Sequence, residues 1–259
     1  MKLLLSNDDG IQAKGLRTLI EHLAPHHDVY VVAPDRERSA MGHALTLHKP
    51  IRIESVPLPW PVELSLSTSG TPSDCVKLAL STLLPERGVE VDWVISGINH
   101  GPNLGADVMY SGTVSAALEG AIFDKPSLAI SLFNGHEDDA NFHPAAQFVA
   151  RELPKLAGMT LPRRTIFNVN FPPIATEHVI GVQTTKLGLR MFDDSYDRRV
   201  DPRGGVYYWL AGEIVQPSDS DVDDVAAIRN NYVSITPVHL DMTNHTALES
   251  FAQQLNETY

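Results

Sequence analysis

The chain has little that would tie it to an oxidising compartment, a membrane or a polyanion. Only one of its 259 residues is cysteine, Cys75, so no intrachain disulfide can form, and a reducing environment suits it. No apolar run approaches the ~18 residues of a membrane span, and the N-terminus has neither the basic segment nor the small-residue cleavage site of a secretory leader. The expectation is a cytoplasmic protein. Basic residues are outnumbered, 20 Lys and Arg against 32 Asp and Glu, giving a net charge of -12. Nucleic-acid polymers are bound by basic faces that displace counterions, so this balance argues against such a partner. A small anionic substrate stays admissible where a cation or local donors offset the field. The eleven histidines are scattered, without HExxH spacing or a CxxC partner, so the common zinc sites are missing as well.

What is present begins at the first ten residues. Leu3, Leu4 and Leu5 are apolar without alternation, the mark of a strand covered on both faces in a parallel sheet. The run ends in Asp8-Asp9-Gly10, at the carboxyl end of the strand, where open α/β sheets bind their ligands. Two bare carboxylates in contact repel each other. One reading is a divalent metal site of hard oxygen ligands, better suited to Mg²⁺ or Mn²⁺ than to zinc; the other is an Asx turn with Gly10 at a positive φ.

The α/β alternation continues. Leu16, Leu19, Ile20 and Leu23 predict an amphipathic helix ending near Pro25, and residues 28–33 predict a second strand, parallel to the first in a right-handed βαβ unit. That strand runs into Asp35-Arg36-Glu37-Arg38-Ser39, either a phosphate-binding segment or a solvated loop. Residues 45–66 hold short β-like pieces (45–47, 51–53 and 62–66) broken by four prolines, read as an irregular antiparallel excursion. Gly70-Thr71-Pro72-Ser73-Asp74 precedes a helix carrying Val76, Ala79, Leu80 and Leu83, with Ser73 or Asp74 as N-cap, and Cys75 is read as packing rather than as a nucleophile.

A strand over 91–96 discharges into a glycine-dense loop, Gly97 to Gly105, a candidate binding loop. Ser111-Gly112-Thr113 then opens a helix with Val114, Ala117, Leu118 and Ala121 on one face. Free N–H groups, two hydroxyls and the positive dipole end make that start an anion site, suited to phosphate, or else an ordinary N-cap. Further strands are expected at 126–132 and 165–170, with a helix through Val149, Leu153 and Leu156 between them. From about residue 185 the pattern changes: 206–210 reads as an exposed aromatic strand, 219–224 is acidic, and a strand at 232–237 and a helix at 246–255 follow. The aromatic strand suggests a subunit contact or an edge cover. The expected fold is α/β, a three-layer Rossmann-like core with a mostly parallel sheet over residues 1–185. Residues 186–259 form a C-terminal extension, not an independent domain, with a β-hairpin and terminal helix used in oligomer contacts.

Three strands that should be neighbours therefore deliver Asp8 and Asp9, Ser39, and Asn99 to one edge. Two carboxylates, a hydroxyl and an amide oxygen are hard donors that leave positions for water and a phosphoryl oxygen. Such a site supports metal-assisted hydrolysis of a phosphomonoester, with Ser111-Gly112-Thr113 taking the remaining phosphate oxygens. Two other readings compete. In an aspartyl-phosphate phosphatase Asp8 would attack phosphorus, but such carboxylates usually stand two apart rather than adjacent. A non-catalytic nucleotide sensor would gain nothing from two negative charges unless a metal bridged them.

Ser6-Asn7-Asp8-Asp9-Gly10, Ala33 to Ser39, Gly70 to Val76, Ser96 to Gly105, Tyr110 to Val114 and Tyr232 to Pro237 resemble, in order, the successive motifs of the SurE (survival protein E) family. The resemblance implies a cytoplasmic, divalent-metal-dependent 5'- and 3'-nucleotidase, with exopolyphosphatase activity in some members. It implies one Mg²⁺ or Mn²⁺ per subunit held by Asp8, Asp9, Ser39 and Asn99, with Asp8, Asp9 and Asn99 catalytic. Asn7, Asn103, Ser111, Gly112 and Thr113 become candidates for binding the phosphate of a nucleoside monophosphate. A C-terminal part exchanged between subunits is also implied, in a homodimer or homotetramer. The chain departs from the family pattern at Asp223-Asp224, where a Thr-Asp pair is usual, and at Asn231, where glycine is frequent.

Overall fold

The computed structural model describes residues 1–133, 140–189, 191–192, 195–211, 214–215 and 222–256. β1 (Lys2–Ser6), α1 (Lys14–Leu23) and β2 (Asp28–Pro34) form the expected parallel unit, with Leu4 opposite Tyr30. Leu16, Leu19, Ile20 and Leu23 are fully buried on the inner face of α1, each worth roughly 1.5–3 kcal/mol relative to exposure. The helix lies close to the sheet because Gly15 carries no side chain; a Cβ there would stand 2.0 Å from Ile98 O.

Residues 45–66 correct the expectation. No strand forms at 45–47, and only β3 (Ile53–Ser55) is antiparallel, at the sheet edge. β4 (Leu64–Thr68) instead joins the main sheet parallel to β2, from Tyr30 opposite Leu64 to Pro34 opposite Thr68. The prolines at 57, 59 and 61 fall in the connection and leave the β4 ladder donors intact. A second correction concerns α2 (Pro72–Leu78). Its N-cap is Thr71, not Ser73 or Asp74: Asp74 N donates to Thr71 Oγ1 (3.1 Å) while Thr71 N donates to Asp74 Oδ2 (2.9 Å), a capping box with Pro72 in the first turn.

β5 (Trp93–His100) continues four residues beyond the expected strand end, so the first part of the supposed glycine loop is strand. Gly97 permits this at φ +129, where a Cβ would meet Ile130 O at 2.2 Å, and a register shift follows between Ser96 and Asn99. α3 (Gly112–Ile122), β6 (Ser127–Leu132), α4 (His143–Ala157) and β7 (Thr165–Phe171) complete the regular alternation. After β8 (Gly181–Thr184), two short strands, β9 (Met191–Phe192) and β12 (Ile214–Val215), pair at the base of a hairpin of β10 (Ser195–Val200) and β11 (Val206–Ala211). The chain returns through α5 (Asp224–Arg229) and β13 (Tyr232–His239) and ends in α6 (Leu248–Asn256). The acidic positions 219–221 lie outside the described residues.

Among the described residues the main sheet has nine strands in the order β3-β4-β2-β1-β5-β6-β7-β13-β8. It is parallel except where β3 meets β4 and β13 meets β7. α1 and α4 bury Leu19, Ile20, Ala145 and Val149 with Leu3, Leu5 and Ile95 on one face. On the other face α2 and α3 contribute Val76 and Ala116 to a cluster with Leu4 and Val32. The result is the expected three-layer α/β fold. Tyr196, Tyr207, Tyr208 and Trp209 of the hairpin and Leu248, Phe251 and Leu255 of α6 are exposed. Among the described residues no helix is long and apolar enough to cross a membrane. Asn231, at φ +62 between α5 and β13, adopts the left-handed conformation that asparagine tolerates better than most residues.

Candidate metal centre

From β1 the connections step outward to β2 and β4 in one direction and to β5, β6 and β7 in the other. The reversal lies between β1 and β5, and the crevice outside their carboxyl ends is where an open α/β sheet binds ligand. Asp8 and Asp9 follow β1, and Asn99 lies near the end of β5.

The turn after β1 is built by Asn7, fully buried, whose Nδ2 donates to Gly10 O at 2.9 Å. Gly10 sits at φ +101, and a Cβ there would stand 3.0 Å from the Arg36 carbonyl carbon, so the turn and the segment after β2 are in backbone contact. Asp8 is 3% exposed. The Thr113 hydroxyl donates to Asp8 Oδ1, and α3 is packed so tightly behind it that a Cβ on Gly112 would meet Asp8 Cβ at 2.7 Å. The positive end of α3 therefore faces a protein carboxylate. Thr113, expected as a phosphate ligand, spends its hydroxyl on Asp8. Ser111 Oγ accepts from Val114 N at 3.0 Å, capping α3 and leaving its own proton to donate.

Asp9 Oδ2 accepts from His100 N at 3.2 Å, and His100 Nδ1 is 4.0 Å from Asp9 Oδ1. Burial, then repulsion by Asp9, pushes the Asp8 carboxyl well above its ordinary range, against hydrogen bonds from Thr113. Burial also raises Asp9; the His100 N–H opposes this and the Glu37 carboxylate adds to it. A cation held between the two carboxylates would remove both penalties.

The neutral donors differ in anchoring. Asn99 Nδ2 donates to Gly101 O at 2.8 Å, which leaves Oδ1 as the atom for a cation. Ser39 is exposed and donates to Glu37 Oε1 at 2.8 Å, keeping its lone pairs. Asn7 Oδ1 is buried and finds no hydrogen-bond partner among the described residues. Among the described residues no three His, Cys, Asp or Glu side chains gather as a metal cluster, so any ion here takes two carboxylates completed by neutral oxygens. That set, hard and short of histidine, fits Mg²⁺ or Mn²⁺.

Some sequence expectations are placed away from the crevice chemistry. Asn103 Nδ2 donates to Ser131 Oγ at 2.7 Å, while its backbone N–H donates to Asn170 Oδ1 and its carbonyl accepts from Asn168 and Asn170. It ties the loop after β5 to β6 and β7. The Arg38 guanidinium is turned to Asp35 and to Ser69 O. Cys75 is fully buried, and burial pushes its thiol up to about 12, which suits packing. Sequence reasoning missed Glu119, 2% exposed on α3, which accepts from His43 and Lys77. It also missed Asp224, which accepts from the N–H groups of Gly105 and Gly188. A buried acid in an alanine-rich helix was the available signal for the first.

Comparison with known proteins identifies relatives of the whole chain. The family model described as Survival protein SurE matches residues 3–194. The 5'-nucleotidase SurE of Synechococcus elongatus is 52% identical over 256 residues, covering 96% of this chain and 97% of the relative. That of Trichormus variabilis is 48% identical over 264 residues, covering 97% of each. The crystal structure of the SurE protein from Aquifex aeolicus aligns with a TM-score of 0.83 at 37% identity, covering 96% of this chain and 98% of that one. With the sheet, the crevice and these matches in agreement, the chain belongs to the Survival protein SurE family.

Proposed function

We propose that this protein is a divalent-metal-dependent phosphomonoesterase that hydrolyses nucleoside 5'- and 3'-monophosphates to nucleoside and phosphate, with exopolyphosphatase activity as a further capacity. The observation that carries the reading is the pair of adjacent carboxylates, Asp8 buried and Asp9 half-buried, at the strand-order reversal, with Asp8 backed by the N-terminus of α3. Curated relatives named 5'-nucleotidase support the substrate class.

In this reading Asp8, Asp9, Ser39 and Asn99 hold one Mg²⁺ or Mn²⁺ per subunit. When bound, the ion supplies Lewis-acid polarisation of the phosphoryl group and lowers the pKa of a coordinated water. Thr113 fixes the rotamer of Asp8 through its hydroxyl. The Ser111 hydroxyl and the Gly112 N–H receive phosphate oxygens at the start of α3, where orphan donors and the dipole favour negative charge. His100, over the Phe142 ring at 4.9 Å, bounds the crevice beside Asp9. Residues 1–185 carry this chemistry. The exposed aromatic hairpin and α6 of residues 186–259 support assembly as a homodimer or homotetramer, and the single cysteine fits a cytoplasmic location.

The test is phosphate release from a panel of 5'- and 3'-nucleoside monophosphates, p-nitrophenyl phosphate and short polyphosphate, with EDTA-stripped protein and Mg²⁺ or Mn²⁺ restored. Release only with metal is expected. Nucleotide binding without release under any metal would instead indicate a sensor.

A further inference from the structure

Ser39 is the least supported of the four candidate ligands. It lies on an exposed strap, residues 38–48, that has no regular secondary structure. On its N-terminal side, Arg38 N donates to Asp8 O at 2.7 Å. Immediately after Ser39, Ala40 is held at φ +56, a left-handed conformation that a residue with a Cβ adopts only when its surroundings impose it. The turn is held from both sides, by Arg38 before it and by contacts beyond Ala40.

The strap is fastened beyond that point to α2, α3 and the residue before α3's cap. Gly42 N donates to Tyr110 O at 2.9 Å, Thr71 Oγ1 donates to Ala44 O at 2.7 Å, and Thr46 N donates to Asp74 at 3.1 and 3.2 Å. The charged fastening is Glu119. Its carboxylate, 2% exposed, accepts from His43 Nε2 at 2.7 Å through one oxygen and from Lys77 Nζ at 2.9 Å through the other. Burial pushes Glu119 up, but these two donors outweigh it and hold the carboxyl below its usual range, so it is ionised and His43 must present its Nε2 proton. Lys77 stands on α2 and keeps the buried charge paired, whereas His43 is the strap's own contribution.

From this we infer that His43 and Glu119 are positioning residues: the His43–Glu119 hydrogen bond clamps the strap across α3 and thereby sets Ser39 against the Asp8-Asp9 pair. The same helix then serves the site twice. Its first turn orders Asp8, and Glu119, two turns on, fixes the distal end of the turn that carries Ser39. The inference rests on the reading of Ser39 as a metal ligand.

The experiment measures Mn²⁺ affinity of the full chain by calorimetric titration, and amide hydrogen exchange over residues 38–46, for wild type and four variants. His43→Ala should weaken Mn²⁺ binding about tenfold, the lower end of the loss seen when an outer partner of a metal ligand is removed, and exchange in the strap should accelerate. His43→Gln, which offers an amide donor to Glu119, should recover most of both. Lys77→Met leaves the buried Glu119 charge to His43 alone and should lower the melting temperature, while weakening Mn²⁺ binding and loosening the strap less than His43→Ala does. Ser39→Ala should weaken binding without changing exchange. The clamp is overturned if His43→Ala leaves affinity unchanged while Ser39→Ala lowers it, or if Lys77→Met does as much harm as His43→Ala. Should Ser39→Ala itself leave the affinity unchanged, Ser39 is not a ligand and the inference falls with that part of the proposed function.

Discussion

Gly112→Ala tests the packing of the centre, because local propensity and tertiary contact give opposite signs. An alanine in place of glycine within a helix stabilises by up to about 1 kcal/mol, and Gly112 opens α3 without a positive φ. The new Cβ, however, would stand 2.7 Å from Asp8 Cβ, 2.9 Å from Asp8 Oδ2 and 3.0 Å from Pro72 Cγ. None of these atoms yields easily: Asp8 is buried and held by Thr113, and Pro72 is a rigid ring in the first turn of α2. Overpacking of this kind costs about 1–3 kcal/mol. The expected balance is a net loss of about 1–2 kcal/mol, a few degrees in melting temperature. Displacing Asp8 by a fraction of an ångström to about 1 Å should lower kcat/KM by about 10- to 100-fold. Thermal unfolding and phosphate release on the same preparation decide it. A variant that melts at or above the wild-type temperature and turns over within about twofold of it would refute the close-packing argument.

Other perturbations have equally definite expectations. Asp8 has a raised folded pKa, so the native state holds its proton more tightly than the unfolded chain does. Stability is then lost as pH rises from about 4 through the raised value. In EDTA, Asp8→Asn should therefore melt above wild type at pH 8 and lose that advantage near pH 4; a lower melting point at both would count against an uncompensated carboxylate pair. Thr71→Ala removes the capping box and the bond to Ala44 O, and urea unfolding should show a loss of about 1–2 kcal/mol. At Asn231, φ +62, alanine should cost about 1 kcal/mol while glycine stays within about 0.5 kcal/mol; equal effects would show that backbone conformation is not what the position selects.

The candidate centre was legible in the sequence because the residues proposed for it are concentrated near strand ends. The unbroken Leu3-Leu4-Leu5 run fixed a strand buried on both faces, and a buried strand must deliver Asp8-Asp9 to an edge. Ser111 was readable as a cap for the same local reason. What stayed hidden depends on contacts distant along the chain. β4 belongs to the main sheet through its pairing with β2, which nothing near its prolines announces. The Thr71 cap was readable in principle, since Thr71-Pro72-Ser73-Asp74 has the spacing of a capping box, but Ser73 and Asp74 are equally good cap residues taken singly. Thr113 was placed at the right helix end and given the wrong first partner, because only the fold sets Asp8 behind α3. Asn231 departs from a frequent glycine without breaking the turn, because asparagine tolerates the same left-handed backbone.

The most direct test of the centre is Mn²⁺ titration of EDTA-stripped wild type, Asp8→Asn and Asp9→Asn, with circular dichroism confirming that each is folded. The account predicts one ion per chain in wild type, with binding weakened at least about 100-fold in each folded variant, the upper range for lost metal-site partners. Unchanged affinity in either folded variant would contradict the assignment of the two carboxylates as the heart of the site.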